Sequence, residues 1–177
     1  MRWSKLKQLV EDRMASSLQR RVEVHSTRYY SGQGRGWITI DKREVADMSH
    51  LRAAVESARI ADDARAVEPL GEMRTPPLRT QWYASRSYAE VLRRQDIVLS
   101  QHEFHQLLWD SLSLSIDDAL ISDHYLIRAF AMLDSRLGKR RLRALQLGDD
   151  EHPLVRQFYD LRCEAEGIEK LITGASA

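Results

Sequence analysis

The sequence predicts an α+β fold: a small antiparallel sheet packed by helices, with a mainly helical C-terminal half. Two observations carry this prediction. Residues 22–41 alternate apolar and polar side chains around a glycine-rich break, which is typical of a β-hairpin. From residue 85 onward, apolar residues recur every three or four positions, which is the spacing of amphipathic helices. We expect one domain, residues 1–177, with a mixed part at about 1–84 and a helical part at about 85–170.

Composition favours a soluble globular protein. Of the 177 residues, 43% are hydrophobic and 30% are charged, and the net charge is +1. Charged residues interrupt every apolar run well before the roughly 18 residues that a bilayer span needs, and the first residues lack the apolar core of a signal peptide. The single cysteine, Cys163, has no second cysteine to form an internal disulfide. We therefore expect a cytoplasmic protein with no membrane association.

The N-terminal elements follow from local spacing. Apolar residues at every third or fourth position predict a helix from Trp3 to Leu18. Period-two alternation then predicts one strand from Val22 to Tyr30 and a second from Gly36 to Asp41, with Ser31-Gly32-Gln33-Gly34 as the turn.

The apolar residues of the two strands suggest how the strands pair. Val22 and Val24 should share a face with Ile38 and Ile40, and this fixes whether odd or even positions face the core. The favoured register sets His25 opposite Asp41, Thr27 opposite Thr39 and Tyr29 opposite Trp37. A shorter loop would set His25 opposite Thr39 instead.

The middle of the chain is predicted to contain a helix, a loop and a third strand. Helical spacing runs from Val45 to Ala58, and a polar stretch at residues 61–75 predicts a loop. Because a two-stranded hairpin is marginally stable alone, a third strand is expected, and the alternation from Leu78 to Tyr83 fits it best.

Capping signals divide the C-terminal half into helices. Small polar residues followed by acidic residues mark helix starts, proline is tolerated in a first turn, and glycine marks helix ends. The predicted signals are Ser100 with Glu103, Ser115 with Asp118, Asp123 as a cap with Gly138 as the stop, and Pro153 as a start with Gly167 as the stop.

Five short segments carry a resemblance that spans nearly the full chain. They are WSKLK at 3–7, HSTRY at 25–29, GRGWITID at 34–41, RLGKRRL at 136–142 and RCEAEG at 162–167. With these segments the chain resembles an uncharacterised family of short bacterial proteins. The resemblance implies a bacterial cytosolic protein in which the hairpin is a family feature. It implies no activity and no catalytic or binding residue.

The mixed face of the hairpin is the most suggestive group of side chains for catalysis. His25 beside Asp41 or Glu23 could act as an oriented base, with Arg28 or Arg35 holding a phosphate, as in an acid–base phosphodiester hydrolase. Such a face is more often covered by a helix or exposed without a catalytic role.

Other sites are incomplete. The His25-Ser26-Thr27 element of paired-histidine phosphoesterases occurs once where two copies are needed, and His102 and His105 lack a third ligand at fixed spacing. The glycines at 32, 34 and 36 lack the lysine and helix of a phosphate loop. We therefore expect no metal and no cofactor, and we expect Cys163 to lie in the core.

Charge is uneven along the chain. Residues 1–44 carry ten basic against five acidic residues, 128–143 carry six against one, and 149–169 carry two against seven. The simplest interpretation is that the basic residues at 136–143 pair with the acidic last helix. The alternative is a basic patch with stacking aromatics that binds RNA or single-stranded DNA. It would be built from Arg20, Arg21, Arg28, Arg35, Arg136, Lys139, Arg140, Arg141, Arg143, Tyr29, Tyr30 and Trp37.

The favoured function is a non-enzymatic protein-binding or regulatory module that uses the hairpin face or the loop at 61–75. The binding residues expected from the sequence are Tyr29, Trp37, Arg28, Arg35, Arg140 and Arg141. Nucleic-acid binding through the basic segments is the first alternative, and hydrolysis of a phosphodiester by His25 with Glu23 or Asp41 is the second. The oligomeric state is left open.

Overall fold

The computed structural model describes residues 1–29, 34–49, 53 and 99–168. The strands are β1 (Val22–Arg28), β2 (Gly34–Ile40) and β3 (Arg43–Ser49), in the order β1-β2-β3. The helices are α1 (Trp3–Arg13), α2 (Gln101–Ser113), α3 (Ile116–Leu120), α4 (Tyr125–Leu133), α5 (Lys139–Ala144) and α6 (Pro153–Glu166). An antiparallel three-stranded sheet and a mostly helical C-terminal half confirm the α+β prediction.

Contacts divide the chain into two compact units. The first contains Met1–His25, Trp37–Ala46 and His105–Ala177, and the second contains Ser26–Gly36 and Asp47–Phe104. The first unit therefore holds the turn between β2 and β3 together with α3 to α6. Within the described residues, no helix is both long and apolar enough to cross a membrane.

Helix α4 forms the centre of the first unit. Eight of its nine residues are buried, and Arg128 is the exception. A helix that is apolar on nearly all sides must be surrounded by other elements. Helix α6 packs against it, with the Phe130 and Phe158 rings edge to face at 6.1 Å between centroids.

The first helix is shorter than predicted, although its apolar stripe is confirmed. Leu6, Val10, Met14 and Leu18 are all buried, but α1 ends at Arg13 and a short 3₁₀ turn covers Ser16–Leu18. Met14 instead forms a β-bridge with Asp134. The stripe continues because the chain keeps the same face inward after the helix has ended.

The predicted register of the hairpin is wrong. The Asp41 amide donates to the Arg21 carbonyl at 2.7 Å, and the His25 ring stacks on Trp37 at 5.0 Å. His25 therefore lies opposite Trp37 rather than Asp41, a shift of four residues. The predicted core face is confirmed for Val22, Val24 and Ile38, which are all buried, whereas Ile40 is only half-buried. Face alternation fixes odd against even positions, but it does not fix which residue pairs with which.

The first residues of the helix predicted from Val45 to Ala58 belong instead to a third strand. Asp41 and Lys42 have φ values of 46° and 67°, so both central residues of this two-residue turn are left-handed, as a tight hairpin requires. Residues Arg43–Ser49 then continue as β3. Further along the predicted helix, Ala53 is described and is helical. The other residues from 50 to Ala58, the predicted loop at 61–75 and the predicted strand from Leu78 to Tyr83 lie outside the described residues.

In the second unit, two glycines allow a close approach rather than a turn. Gly34 and Gly36 lie within β2. A Cβ atom on Gly34 would lie 1.7 Å from the Gln101 Oε1, and one on Gly36 would lie 2.3 Å from the Phe104 Cδ1. Assigning Gly34 to the turn was therefore wrong, because β2 begins there and its bare backbone makes room for these two side chains.

The predicted helix boundaries are partly confirmed. The capping box is present, with the Glu103 amide donating to Ser100 Oγ and the Ser100 amide donating to Glu103 Oε2. Ser115 likewise caps α3, and Gly167 ends α6 in the left-handed conformation. Two predictions are wrong: His124, not Asp123, caps α4, and α4 ends at Leu133 while Gly138 precedes α5.

Two histidines cap the central helices. The His124 Nδ1 accepts the Leu126 amide at 3.1 Å, and the His152 Nδ1 accepts the Leu154 amide at 3.1 Å. The His152 ring also stacks on buried Tyr125 at 3.8 Å. A protonated imidazole has no free lone pair at Nδ1, so each of these caps requires the neutral ring.

We expect the protein to lose stability as the pH falls below 6.5. Burial lowers the pKa of His152 from its ordinary 6.5, so the unfolded chain takes up this proton more readily than the folded one. Stability is then independent of this group above pH 6.5 and decreases below it. Melting temperatures at pH 7 and pH 5 measure the effect.

His152→Asn provides the test, because asparagine caps a helix without titrating. The melting temperature of this variant should fall less between pH 7 and pH 5 than that of the parent. His102→Asn, which changes an exposed histidine of α2, is the matched control and should leave the pH dependence unchanged. An identical dependence in the parent and His152→Asn would contradict the assignment.

Candidate functional site

The predicted hairpin face contains a pre-formed stack. The rings of His25 and Trp37 are nearly parallel, with 10° between their planes, and the His25 Nε2 lies 2.9 Å from the Thr39 Oγ1. Burial is the main reason that the pKa of His25 is lowered, and the Lys7 charge adds to it. Thr39 is only 7% exposed, and His25 and Trp37 are half-buried, so this part of the face is partly covered.

The structure separates Asp41 from His25. The Asp41 carboxylate accepts two bonds from Arg21, at 3.1 Å from Nε and 2.9 Å from Nη2. The hydrogen bond from Arg21 is the main reason that the pKa of Asp41 is lowered. Glu23 is close enough to His25 to oppose the lowering of the histidine pKa, but burial outweighs it. Of the three predicted catalytic residues, only His25 and Glu23 come together.

The three binding residues predicted in the second unit differ in their surroundings. The Arg35 Nε donates to the Asp47 carboxylate at 2.9 Å. Tyr29 is 52% exposed, and Arg28 is exposed with no ionic partner in the described ranges. Tyr30, which the sequence placed with them, lies outside the described residues.

Two of the five basic residues of α5 and the preceding loop pair with carboxylates. Arg141 pairs with Asp117, Arg136 pairs with Asp134, and the Lys139 Nζ donates to the Glu166 carbonyl. The carboxylates that accept Arg136 and Arg141 therefore lie outside α6, contrary to the pairing predicted with the last helix. Arg140 is exposed and has no partner within the part of the chain that is described.

The end of the sheet at the turn between β2 and β3 carries exposed cations that the sequence did not indicate as a group. Arg20, Lys42 and Arg43 are all exposed, and none of their side chains has a hydrogen bond or ion pair in the described residues. They are brought together by the bond from the Asp41 amide to the Arg21 carbonyl. We call Arg20, Arg21, Asp41, Lys42 and Arg43 the hairpin-end surface. Arg43 is close enough to contribute to the lowered pKa of Asp41.

An acidic cleft of about 760 Å³ adjoins this surface. Arg21 and Asp41 form one wall, and residues 149–164 form the other. The acidic side chains of that second wall are Asp149, Glu151, Asp160 and Glu164.

The basic groups in the cleft are bonded within the protein. The Arg156 Nε donates to the Glu151 carbonyl at 3.3 Å, and Arg21 lies 3.5 Å from Glu164. Burial would raise the pKa of Glu151, but its bonds from Arg128 and from the His152 amide outweigh burial and lower it. The net charge of the cleft is therefore negative, beside a positive turn.

The fold and this surface define an α+β protein whose exposed charges of both signs meet at one end of a hairpin. The chain belongs to the SF0329 protein family, whose model matches residues 2–163. No curated protein and no solved structure matches the chain. The matched range contains the whole hairpin and most of α6, so both walls of the cleft contribute residues to it.

Proposed function

We propose that this protein is a non-enzymatic module that binds another protein through the hairpin-end surface and the adjoining cleft. The observation that carries the proposal is the close placement of opposite charges, with Arg20, Lys42 and Arg43 on the turn and carboxylates across the cleft. Complementary charge steers partners together and excludes partners of the wrong pattern. Proteins, unlike nucleic acids, can present both signs within a short distance.

Nucleic-acid binding has less support from the same charges. A phosphate backbone is uniformly negative, so the carboxylates of Asp160 and Glu164 would repel a strand that followed the turn into the cleft. Arg21, Arg35 and Arg141 of the predicted basic patch are already paired with carboxylates of the protein.

Hydrolysis by His25 also has less support. A general base needs a substrate-facing nitrogen and usually an orienting group. One ring nitrogen of His25 bonds to Thr39 and the ring stacks on Trp37, while Asp41 pairs with Arg21. These contacts favour a structural role for His25.

We place the binding function in the bacterial cytoplasm, in keeping with the resemblance and the sequence composition.

Charge reversal at the turn should strongly weaken capture of the partner. We expect the tagged full-length protein to retain a protein partner from nuclease-treated bacterial lysate. Lys42→Glu with Arg43→Glu should reduce the retained amount about tenfold. The turn then carries a negative charge, as the cleft does, and the complementary pattern of opposite charges is lost. Quantitative mass spectrometry measures the difference.

Arg140→Glu with Arg143→Glu is the matched control, since it reverses two exposed charges of α5. Capture should survive in this variant. Equal loss in both double variants would show a general charge effect and contradict the proposed surface. Retention only of material that nuclease removes would favour the nucleic-acid alternative.

A further inference from the structure

The backbone at the hairpin end is unusual. Within the described residues, the non-glycine residues with positive φ are Arg20 at 67°, Asp41 at 46° and Lys42 at 67°. All three belong to the hairpin-end surface. Glycine adopts this conformation with less strain than arginine or lysine, so the presence of Arg20 and Lys42 at these positions points to a role for their side chains.

Arg21 at this surface already holds a carboxylate. Its guanidinium donates two bonds to Asp41, in the fork geometry by which arginine recognises carboxylates. The side chains of Arg21 and Asp41 are 31% and 52% exposed, so solvent reaches the pair. A carboxylate from another molecule can therefore approach Arg21 and replace Asp41.

We propose that the hairpin-end surface binds an acidic, Asp- or Glu-rich segment of the partner protein, and that Asp41 is an internal carboxylate that competes with this segment for Arg21. This inference rests on the proposed function and specifies the chemistry of the partner. Arg20, Lys42 and Arg43 surround the exchange with charges that have no partner in the described part of the chain. They attract a short acidic segment to the turn, whereas the carboxylates of the cleft would repel a longer, uniformly negative strand that entered it.

Asp41→Asn tests the competition directly. Asparagine tolerates the left-handed backbone of a tight hairpin turn, so the variant removes the charge and keeps the fold. A fluorescein-labelled hexaglutamate peptide serves as the probe, with binding to the full-length protein measured by fluorescence anisotropy at low salt. We expect Asp41→Asn to bind roughly two- to five-fold more tightly than the parent, as the loss of an exposed ion pair allows. Lys42→Glu with Arg43→Glu should bind about tenfold more weakly.

The matched control is Asp117→Asn. Asp117 lies on α3 and pairs with Arg141 of α5, so this variant also frees an arginine and changes the net charge by the same amount. The affinity for the peptide should stay at the parent value. Equal tightening in Asp41→Asn and Asp117→Asn would show a general charge effect and overturn the inference. Tighter binding of a six-nucleotide thymidine strand than of hexaglutamate would also overturn it, because phosphate would then be the preferred anion.

The result separates this inference from the proposed function. If Asp41→Asn leaves peptide affinity unchanged, or the peptide does not bind, while partner capture still depends on Lys42 and Arg43, the surface binds a protein but Asp41 is not a competitor. If capture does not depend on Lys42 and Arg43, the proposed function itself fails.

Discussion

Replacing Arg162 with methionine is expected to lower the free energy of unfolding by about 3–5 kcal/mol. Arg162 is only 2% exposed, although it carries a full charge. Its Nη1 donates to the Leu133 carbonyl at 3.0 Å and to the Asp134 carbonyl at 3.2 Å, and its Nη2 donates to the Leu137 carbonyl at 3.2 Å. Methionine fills a similar volume but provides none of these donors.

The position of these carbonyls explains the size of the effect. The last carbonyls of a helix have no partner within the helix, and α4 ends at Leu133 in the interior of the protein. Arg162 provides charged donors for this buried end, in addition to the Ala15 amide, which donates to the Leu133 carbonyl at 2.9 Å. Its Nε also donates to Glu166 at 2.6 Å, so the variant would leave a buried carboxylate without its counter-charge.

Urea unfolding followed by circular dichroism measures the loss. Combining Arg162→Met with Glu166→Gln should recover part of the stability, because it removes the uncompensated charge. It does not restore the guanidinium's bonds to the carbonyls, although the Leu133 and Asp134 carbonyls keep the amides of Ala15 and Leu137 as donors. Arg140→Met is the matched control, since Arg140 is exposed and has no partner in the described residues, and it should change the free energy by less than about 0.5 kcal/mol. An unchanged urea midpoint for Arg162→Met would contradict the account.

Local signals in the sequence predicted local structure well. The capping box at Ser100 and Glu103, the cap at Ser115 and the glycine stop at Gly167 are all confirmed, because each depends on a few neighbouring residues. The apolar stripe from Leu6 to Leu18 predicted burial more accurately than helix length. A stripe records which side chains face the core, and the backbone that presents them can change from helix to turn.

The hairpin shows where local signals stop being sufficient. Val45 and Met48 are spaced as on a helix, but they lie on β3. The turn before β3 lacks the glycine or asparagine that usually marks a tight hairpin, since Asp41 and Lys42 occupy the left-handed positions. Without that marker, neither the third strand nor the position of Lys42 and Arg43 could be read from spacing.

The candidate site depended on contacts that are distant in sequence. The uneven charge of residues 1–44 and 149–169 was visible in the sequence, but not that Arg21 would lie 3.5 Å from Glu164. The predicted pairing of His25 with Asp41 failed through register alone, since a shift of four residues gives Asp41 to Arg21. The presence of charged side chains at the hairpin was therefore predictable from the sequence, but the residues with which they pair were not.

Gly36 is another residue whose contacts could not be predicted from the sequence. Its substitution is the second change expected to cause a large loss of stability. Replacing Gly36 with alanine is expected to destabilise the protein by about 3 kcal/mol, as overpacking in a rigid core does. The added Cβ would lie 2.3 Å from Cδ1 and 3.0 Å from Cε1 of the Phe104 ring. Phe104 is 0% exposed, so its ring has no open space into which it can move without displacing other buried atoms.

Substitutions of two other glycines extend the prediction to a ranking of three stability losses. All three are measured as urea midpoints under the same conditions. Gly34→Ala should cost less, about 1 kcal/mol, because the obstructing atoms belong to the end of the flexible Gln101 side chain, which can rotate away but then loses its bonds to Ser26 and Thr27. Gly138→Ala should be nearly neutral, since nothing lies within 4 Å of its Cβ position and its φ is −68°. If Gly36→Ala were as stable as Gly138→Ala, the close approach of Phe104 to β2 would be wrong, and the glycines would belong to the turn after all.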